Sequence, residues 1–466
     1  MLPSIWNQIA SNKGFKGLLK GWPPRLASSP LLQLSRGQWA ILFAAWLGWG
    51  FDVFDGLLFN YVAPNCVPTL LQLTIGSPEA KTATLYWTGL LTSVLLVGWG
   101  IGGIVFGKLC DRIGRSRTLL LTMVIYALGT FACAFAPNIG ALMLFRLVAS
   151  LGIGGEWAAG ASMVAEAVPE RARVEAGALL YTSAPAGLFL ATSVNALIAG
   201  HWLAGSPEIS WRFVFLCGLI PALVAFGVRL VVKEPERWQQ SQAKAPPARL
   251  RELFSPAHRA ATRSGVLMAL VALLTWWSCN AFIPVVAAGL AHGAATAQGL
   301  QANQMLVEHW KTTITSFFNA GGLIGTLLTI PAAKILGRRW MFSLYFLLSS
   351  LMLTLTFGMA RAAELPTWSW LYFGVGLSVF GVFGSFSFYL PELFPTRLRA
   401  TGSGFCYNSG RIITALGPFL VGSIAAMKAN ALDGAFGVLF VVGFVPLLGL
   451  LAMPWVVETR GRVLAD

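Results

Sequence analysis

The chain has 466 residues, 56% of them hydrophobic and 11% charged, under half the charged share of roughly 25% found in soluble domains. With a mean hydropathy of +0.69 there is too little charge to coat a water-facing surface, which excludes an ordinary soluble globule. The charge is also lopsided, 33 Lys and Arg against 18 Asp and Glu, so the excess must serve nucleic acid, an anionic ligand or a membrane face.

Taken in chain order, the first 36 residues carry no compact apolar core ahead of a cleavage site and do not read as a secretory signal. The segment 1–37, with IWNQIASNKGFKGLLKGW inside it, predicts an amphipathic helix on the membrane surface. Hydrocarbon about 30 Å thick needs roughly 20 apolar residues per helix. Twelve stretches qualify: 38–63, 86–108, 118–136, 139–166, 174–200, 211–231, 264–291, 312–336, 340–360, 368–391, 399–427 and 434–457. The polar, basic, Pro-containing segment 232–263 divides them into a first half, 38–231, and a second, 264–457, with a tail at 458–466. No polar segment is long enough for a separate catalytic domain.

Sorting the positive charge by loop sets the orientation. With the N-terminus inside, 26 of the 33 basic residues fall in inner segments, five fall outside (Lys81, Arg212, Lys311, Arg361, Lys428), and Arg146 and Arg411 lie within the membrane. The basic excess is therefore a topological signal spread over every inner loop, and nucleic-acid binding loses its motive. The six Cys (Cys66, Cys110, Cys133, Cys217, Cys279, Cys406) are scattered and suggest neither a disulfide framework nor a zinc site. No H-E-x-x-H, no Ser/His/Asp set and no metal-spaced cluster is present, so neither an enzyme nor a cofactor is expected.

The chain repeats itself. Residues 166–173, EAVPERAR, and 392–399, ELFPTRLR, share E-x-x-P-x-R-x-R at an offset of 226. Both lie at the inner end of a long helix, which predicts parallel six-helix halves related by an axis along the membrane normal. The loop G107-K-L-C-D111-R-I-G114-R-S-R117 after the second span has a decayed counterpart, A333-K-I-L-G337-R-R, after the eighth.

Together with R146-L-V-A-S-L-G-I-G-G-E156, PELFPTRLRATGSGF and VVETRGRVL, these motifs resemble the major facilitator superfamily over nearly the whole chain. Within it the resemblance is closest to the metabolite/proton symporters of the sialate and monocarboxylate group, through D52-V-F-D55, G-G-E-W and Y407-N-S-G-R411. The resemblance implies an all-α integral membrane protein, two six-helix bundles with 12 transmembrane helices and cytoplasmic termini, working as a monomer in the cell membrane. It also implies that Asp111, Arg112, Arg115 and Arg117, with Gly107, Gly114, Glu166, Arg171, Arg173, Glu392, Arg397 and Arg399, form interhalf salt bridges and helix-end contacts that close the cytoplasmic side. Organic-cation and betaine/proline symporters share the G-G-E element, so a cationic or zwitterionic substrate stays open. T275-W-W-S-C-N280 lacks the helix-seven pattern of sugar porters.

Charge in hydrocarbon is costly, so each ionisable residue in a span is a functional hypothesis. At ~1.5 Å per residue, Asp52 and Arg411 lie roughly 20 Å from the inner helix ends, Asp55 roughly 24 Å, and Arg146 roughly 10 Å from the outer end. These four share one layer near the membrane centre. Asp52 and Asp55 point to nearly one helix face and would repel if both ionised, so one is expected to keep a proton. Arg146 is the expected neighbour of the other, and Glu156, deeper toward the inner face, is a further candidate for the proton route. The four His (His201, His258, His292, His309) fall in loops or at helix ends, leaving coupling to carboxylates. Arg411 is the expected anchor for a carboxylate substrate, because guanidinium grips carboxylate bidentately. Asn408, Trp277, Asn280, Tyr181 and Asn319, with Trp276 and the Phe386/Phe388 pair, offer the amide and aromatic surface of a small-organic-ion site. The sequence thus predicts proton-coupled symport of a small organic anion.

Overall fold

The computed structural model describes residues 30–461, apart from 114, 156–159, 161–162, 165–166, 220–222, 224–226, 228–248, 360–364 and 396–397. The expected surface helix before residue 30, Gly114, Glu156, Glu166, Arg397 and most of the 232–263 segment lie outside the described residues, as do the side chains of Gly107, Asp111, Arg112 and Arg115.

Among the described residues there is no strand, and eight helices are long and apolar enough to cross a membrane. Helix α1, Arg36–Leu70, begins at a capping box: the Ser35 hydroxyl accepts from the Gln38 amide, and the Gln38 side chain accepts from that of Ser35, satisfying two amide donors that a helix start leaves unbonded. It is apolar on all sides and runs through the bundle interior, ending after Pro64 and Pro68. There follow α2 (Pro78–Ile113), α3 (Arg115–Cys133), α4 (Ile139–Gly154), α5 (Arg173–Tyr181), α6 (Ser183–Leu197) and α7 (Pro207–Cys217). The second set is α8 (Arg259–Asn280), α9 (Ile283–Ala297), α10 (Gln304–Met359), α11 (Leu365–Val375), α12 (Phe386–Glu392), α13 (Arg399–Thr414), α14 (Leu416–Ala426), α15 (Ala431–Val442) and α16 (Val445–Leu451).

Two boundaries differ from the sequence reading. The eighth and ninth stretches run together in the 56-residue α10, which turns at Gly337 (φ 81°), a left-handed conformation open to glycine and strained for other residues. A Cβ there would meet a Glu458 carboxylate oxygen at 2.9 Å. The segment expected to stay a linker up to 263 is helical from Arg259, pinned where the Thr262 hydroxyl donates to the Leu253 carbonyl.

Helices α1–α7 and α8–α16 meet along two seams. In one, α2 lies against α13 and α14. Here a Cβ on Gly89 would fall 2.4 Å from the Pro418 carbonyl, one on Gly100 2.4 Å from the Ile412 side chain, and one on Gly103 2.6 Å from the Asn408 amide. Only glycine permits such an approach. In the other, α5 and α6 lie against α10 through polar pairs: Thr192 with Thr315 at 3.3 Å, the Asn319 amide to the Thr192 hydroxyl at 3.3 Å, and the Asn195 amide to Glu308 at 2.6 Å.

Candidate functional site

A small cavity lies where the two helix sets meet. Its wall consists of Trp49, Val53 and Leu57 from α1, Trp99 from α2, Tyr181 and Ala184 from α5 and α6, and Trp276 and Trp277 from α8. Phe380, Phe383, Tyr407 and Arg411 complete it. Phe380 and Phe383 come from a stretch that leaves the α path, a π turn Gly376–Phe380 followed by a 3₁₀ turn Gly381–Ser385. Gly376, Gly381 and Gly384 press so closely on α10 that any Cβ would overlap it. The changed helical pitch there sets the direction of both phenyl rings.

Arg411 is 2% exposed. Its guanidinium stacks on the Trp99 ring at 4.3 Å and on the Tyr407 ring at 4.7 Å, and one Nη donates to Asn408 Oδ1 at 3.0 Å. Its Nε is buried without an acceptor, and its electrostatic neighbours are the Tyr407 and Tyr181 hydroxyls, with no carboxylate among them. Those hydroxyls bond each other at 2.9 Å across the two helix sets. Because α8 ends at Asn280, Trp276 and Trp277 stand in its last turn and meet edge to face at 4.6 Å.

The acidic pair lies elsewhere. Asp52 and Asp55 are buried in α1, yet neither lines the cavity, which is faced by Trp49, Val53 and Leu57 of the same helix. Asp55 accepts from the Thr130 hydroxyl on α3 at 2.6 Å and packs beside Gly218, where a Cβ would come within 2.5 Å of its oxygen. Arg146, 2% exposed, donates to the Gly56 carbonyl at 2.7 Å and lies over the Phe59 ring. It reaches Asp55 through its charge rather than through a hydrogen bond. The central layer therefore divides in two, with Arg411 in the cavity and Asp55 with Arg146 behind α1.

Of the other residues expected to bind substrate, Tyr181 and Trp277 line the cavity, and Asn408 holds Arg411 from behind. Asn280 and Asn319 are buried but do not line it, Asn319 belonging to the polar seam. The sequence reading missed Trp49, Trp99, Phe380, Phe383 and the Tyr181–Tyr407 bond, although 407 is 181 plus the repeat offset of 226.

Of the residues expected at the gate, Glu392, Arg399 and Arg173 are among those described. Glu392 bridges Arg338 within its own helix set, Oε1 to Nη2 at 2.6 Å, and also accepts from Thr459 at 2.6 Å. The turn at Gly337 carries Arg338 beneath α12, so this acid does not reach across the molecule. Arg399 Nε donates to the Pro391 carbonyl, and Arg173 is half-buried at the start of α5. Among the described residues, Lys334 pairs with Glu175 across the two sets at this end.

At the opposite end Lys311, expected in an outer loop, is buried. With the equally buried Glu308 it forms an ion pair at 2.8 Å, one helical turn apart. Glu308 also accepts from Gln304 at 2.7 Å, from Asn195 at 2.6 Å and from Asn65 at 3.5 Å. His292, inside α9, lines a second cavity near this end with Lys81 and Asn65. Among the described residues no group of His, Cys, Asp and Glu could hold a metal ion, and Cys66, Cys133, Cys217, Cys279 and Cys406 are free thiols.

Comparison with known proteins agrees with this architecture. The Major Facilitator Superfamily description matches residues 39–418. The chain is 31% identical over 432 residues, 90% of each sequence, to the probable 4-methylmuconolactone transporter of Cupriavidus pinatubonensis. It is 25% identical to the sialic acid transporter NanX of Escherichia coli, covering 90% of this chain and 93% of that one. Among solved structures, the xylose transporter XylE from E. coli superposes with a TM-score of 0.67 at 18% identity, over 92% of this chain and all of that one, a likeness of fold. The chain belongs to the Major Facilitator Superfamily, a multi-pass transport protein of the cell membrane rather than an enzyme.

Proposed function

We propose that the protein is a proton-coupled symporter of a small organic anion. On this reading twelve helices with cytoplasmic termini form two halves that rock about the central cavity, and the end with Lys334, Glu175 and Glu392 is the cytoplasmic one. The observation that carries it is Arg411, a buried guanidinium in an aromatic cavity with no carboxylate beside it among the described residues. A charge so placed is costly unless a counter-ion joins it, and a carboxylate supplies both the charge and the bidentate geometry. The relative from Cupriavidus is described as carrying 4-methylmuconolactone and that from E. coli sialic acid, and an organic acid fits the same site here. A cation fits less well, because among the described residues no acidic side chain lines the cavity.

Asp55 is the proton carrier on this reading. Sealed among α1, α3, α4 and α7, it gains and loses a proton according to which side of the membrane has access, while Arg146 supplies fixed positive charge nearby. Keeping the proton site apart from the substrate site lets the two ligands act through the position of α1 rather than by competing for one group.

Uptake into proteoliposomes with simultaneous internal pH recording tests both roles. A panel of benzoate, lactate, sialate and betaine is expected to give carboxylate uptake with proton entry and no betaine uptake. Asp55→Asn is expected to abolish pH-driven accumulation while counterflow persists; undiminished accumulation removes Asp55 from the proton path. Arg411→Lys keeps the charge but loses the fork, so carboxylate affinity should fall at least tenfold. Unchanged affinity removes Arg411 from the binding site.

A further inference from the structure

We infer that Trp276 is a specificity-determining residue, selecting a carboxylate that carries a second hydrogen-bond acceptor over an acid of the same shape without one. The inference rests on the reading of this cavity as the carboxylate site. Its basis is an inventory of polar atoms. The cavity wall contains no Asp, Glu, Asn, Gln, Ser or Thr. Its polar groups are one guanidinium, two tyrosine hydroxyls and the indole N–H groups, and guanidinium and indole only donate.

Three of these donors, Arg411 Nε, Trp99 Nε1 and Trp276 Nε1, are buried without any acceptor. A buried N–H left unbonded costs about as much as a lost hydrogen bond. The two tyrosine hydroxyls already spend one proton on each other. A ligand that completes this site brings several acceptors and few donors.

The donors are also spread out. Trp99 lies directly under the Arg411 guanidinium, so one carboxylate can serve both. The benzo edge of Trp99 faces Gly56 on α1, leaving the opposite, N–H-bearing edge turned away from that helix. Trp276 stands further off. Trp277 meets both rings, at 5.8 Å from Trp99 and 4.6 Å from Trp276. A carboxylate held at Arg411 does not extend that far, so the acceptor for Trp276 comes from the other end of the ligand, about one ring away. The wall is mostly aromatic and apolar, which suits a compact planar body. An acid with many hydroxyls would bring more donors than the two tyrosine oxygens of this wall can accept.

Two acids of nearly identical shape test this, 4-acetylbenzoate and 4-isopropenylbenzoate, which differ by C=O against C=CH₂ at the far end. Competition of each against labelled benzoate is measured on the full-length protein in proteoliposomes. The wild type is expected to prefer the acetyl compound roughly three- to tenfold, the net value of one hydrogen bond. Trp276→Phe, which keeps a ring and removes the N–H, is expected to bring that ratio to about one, whatever it does to absolute affinity. Where that variant fails to fold, the sulfur isostere benzothienylalanine at position 276 replaces it and is held to the same ratio. Equal binding of the two acids by the wild type, or a preference that survives loss of the N–H, overturns the inference. Failure of every carboxylate to compete in the wild type would instead overturn the anion reading itself.

Discussion

The two seams between the helix sets are built from different chemistry. Where α2 meets α13 and α14, glycines let backbones touch, and the bond that crosses, from the Ser93 hydroxyl to the Ala415 carbonyl at 2.5 Å, lies among them. Where α5 and α6 meet α10, side chains hold each other at intervals through hydroxyls, amides and, at the ends, the Glu308 and Lys334 charges. The first seam depends on shape and loses its contacts once a Cβ intrudes. The second depends on pairs, each exchangeable for water at a net of about 0.5–1.5 kcal/mol. A carrier that must part its halves at alternate ends can unzip the second kind of seam pair by pair and slide along the first.

Four substitutions sharpen this contrast. The largest effect is expected from Glu308→Gln, which strips Lys311 of its counter-charge in a buried setting, a loss of about 3–5 kcal/mol. The thermal midpoint in detergent should fall accordingly, and the double variant Glu308→Gln/Lys311→Met should recover most of it. A midpoint unchanged in the single variant would mean that the pair is hydrated.

Next comes Gly89→Val on the shape-dependent seam. Its Cβ would fall 2.4 Å from the Pro418 carbonyl and 3.1 Å from Gly422 Cα, both backbone. Overpacking of this kind costs typically about 1–3 kcal/mol, and transport should fall more than stability because sliding is blocked. Thr192→Val, on the polar seam, keeps the volume and loses one hydroxyl pair, so about 0.5–1.5 kcal/mol is expected. An equal loss of transport in both would erase the distinction between the seams.

The smallest effect lies away from both. Burial works against ionisation of Glu458, but three backbone N–H bonds, from Arg338, Arg339 and Arg460, with the Arg338 charge, outweigh it and hold the carboxyl below its usual 4.5. Because the folded value is depressed, its contribution is complete above the unfolded value and disappears as pH falls through the folded one. Thermal midpoints followed below about pH 4.5 should therefore show an acid-dependent loss that Glu458→Gln removes, the variant being slightly less stable at neutral pH.

Much of the fold could be read from apolar run length and from the repeated E-x-x-P-x-R-x-R blocks, since a bilayer imposes helices and a duplication imposes two sets of them. The turn at Gly337 was hidden because the residues on either side favour helix and because its partner, Glu458, lies 121 positions later. Charge at mid-membrane marked Asp52, Asp55, Arg146 and Arg411, but depth does not tell which way a side chain faces, and α1 turns its aspartates from the cavity. Lys311 looked like a loop residue because a charge at a span edge is usually solvated. The aromatic wall was only half legible, since Trp49, Trp99 and Phe380 have the same composition as lipid-facing residues and only the packing of neighbouring helices assigns them inward.

The hydrogen bond between Tyr181 and Tyr407 joins two positions exactly one repeat apart, which puts it on the approximate dyad of the molecule. The frame around it is duplicated, but the chemistry is not. One repeat before Arg411 stands Pro185, and one repeat after Asp55 stands Ala281. The copies carry different charges, Asp55 with Arg146 in the first and Arg411 in the second. On the proposed reading, Arg411 is the one cationic residue of the described cavity wall, and a carboxylate cargo held there has a head and a tail, hence one orientation.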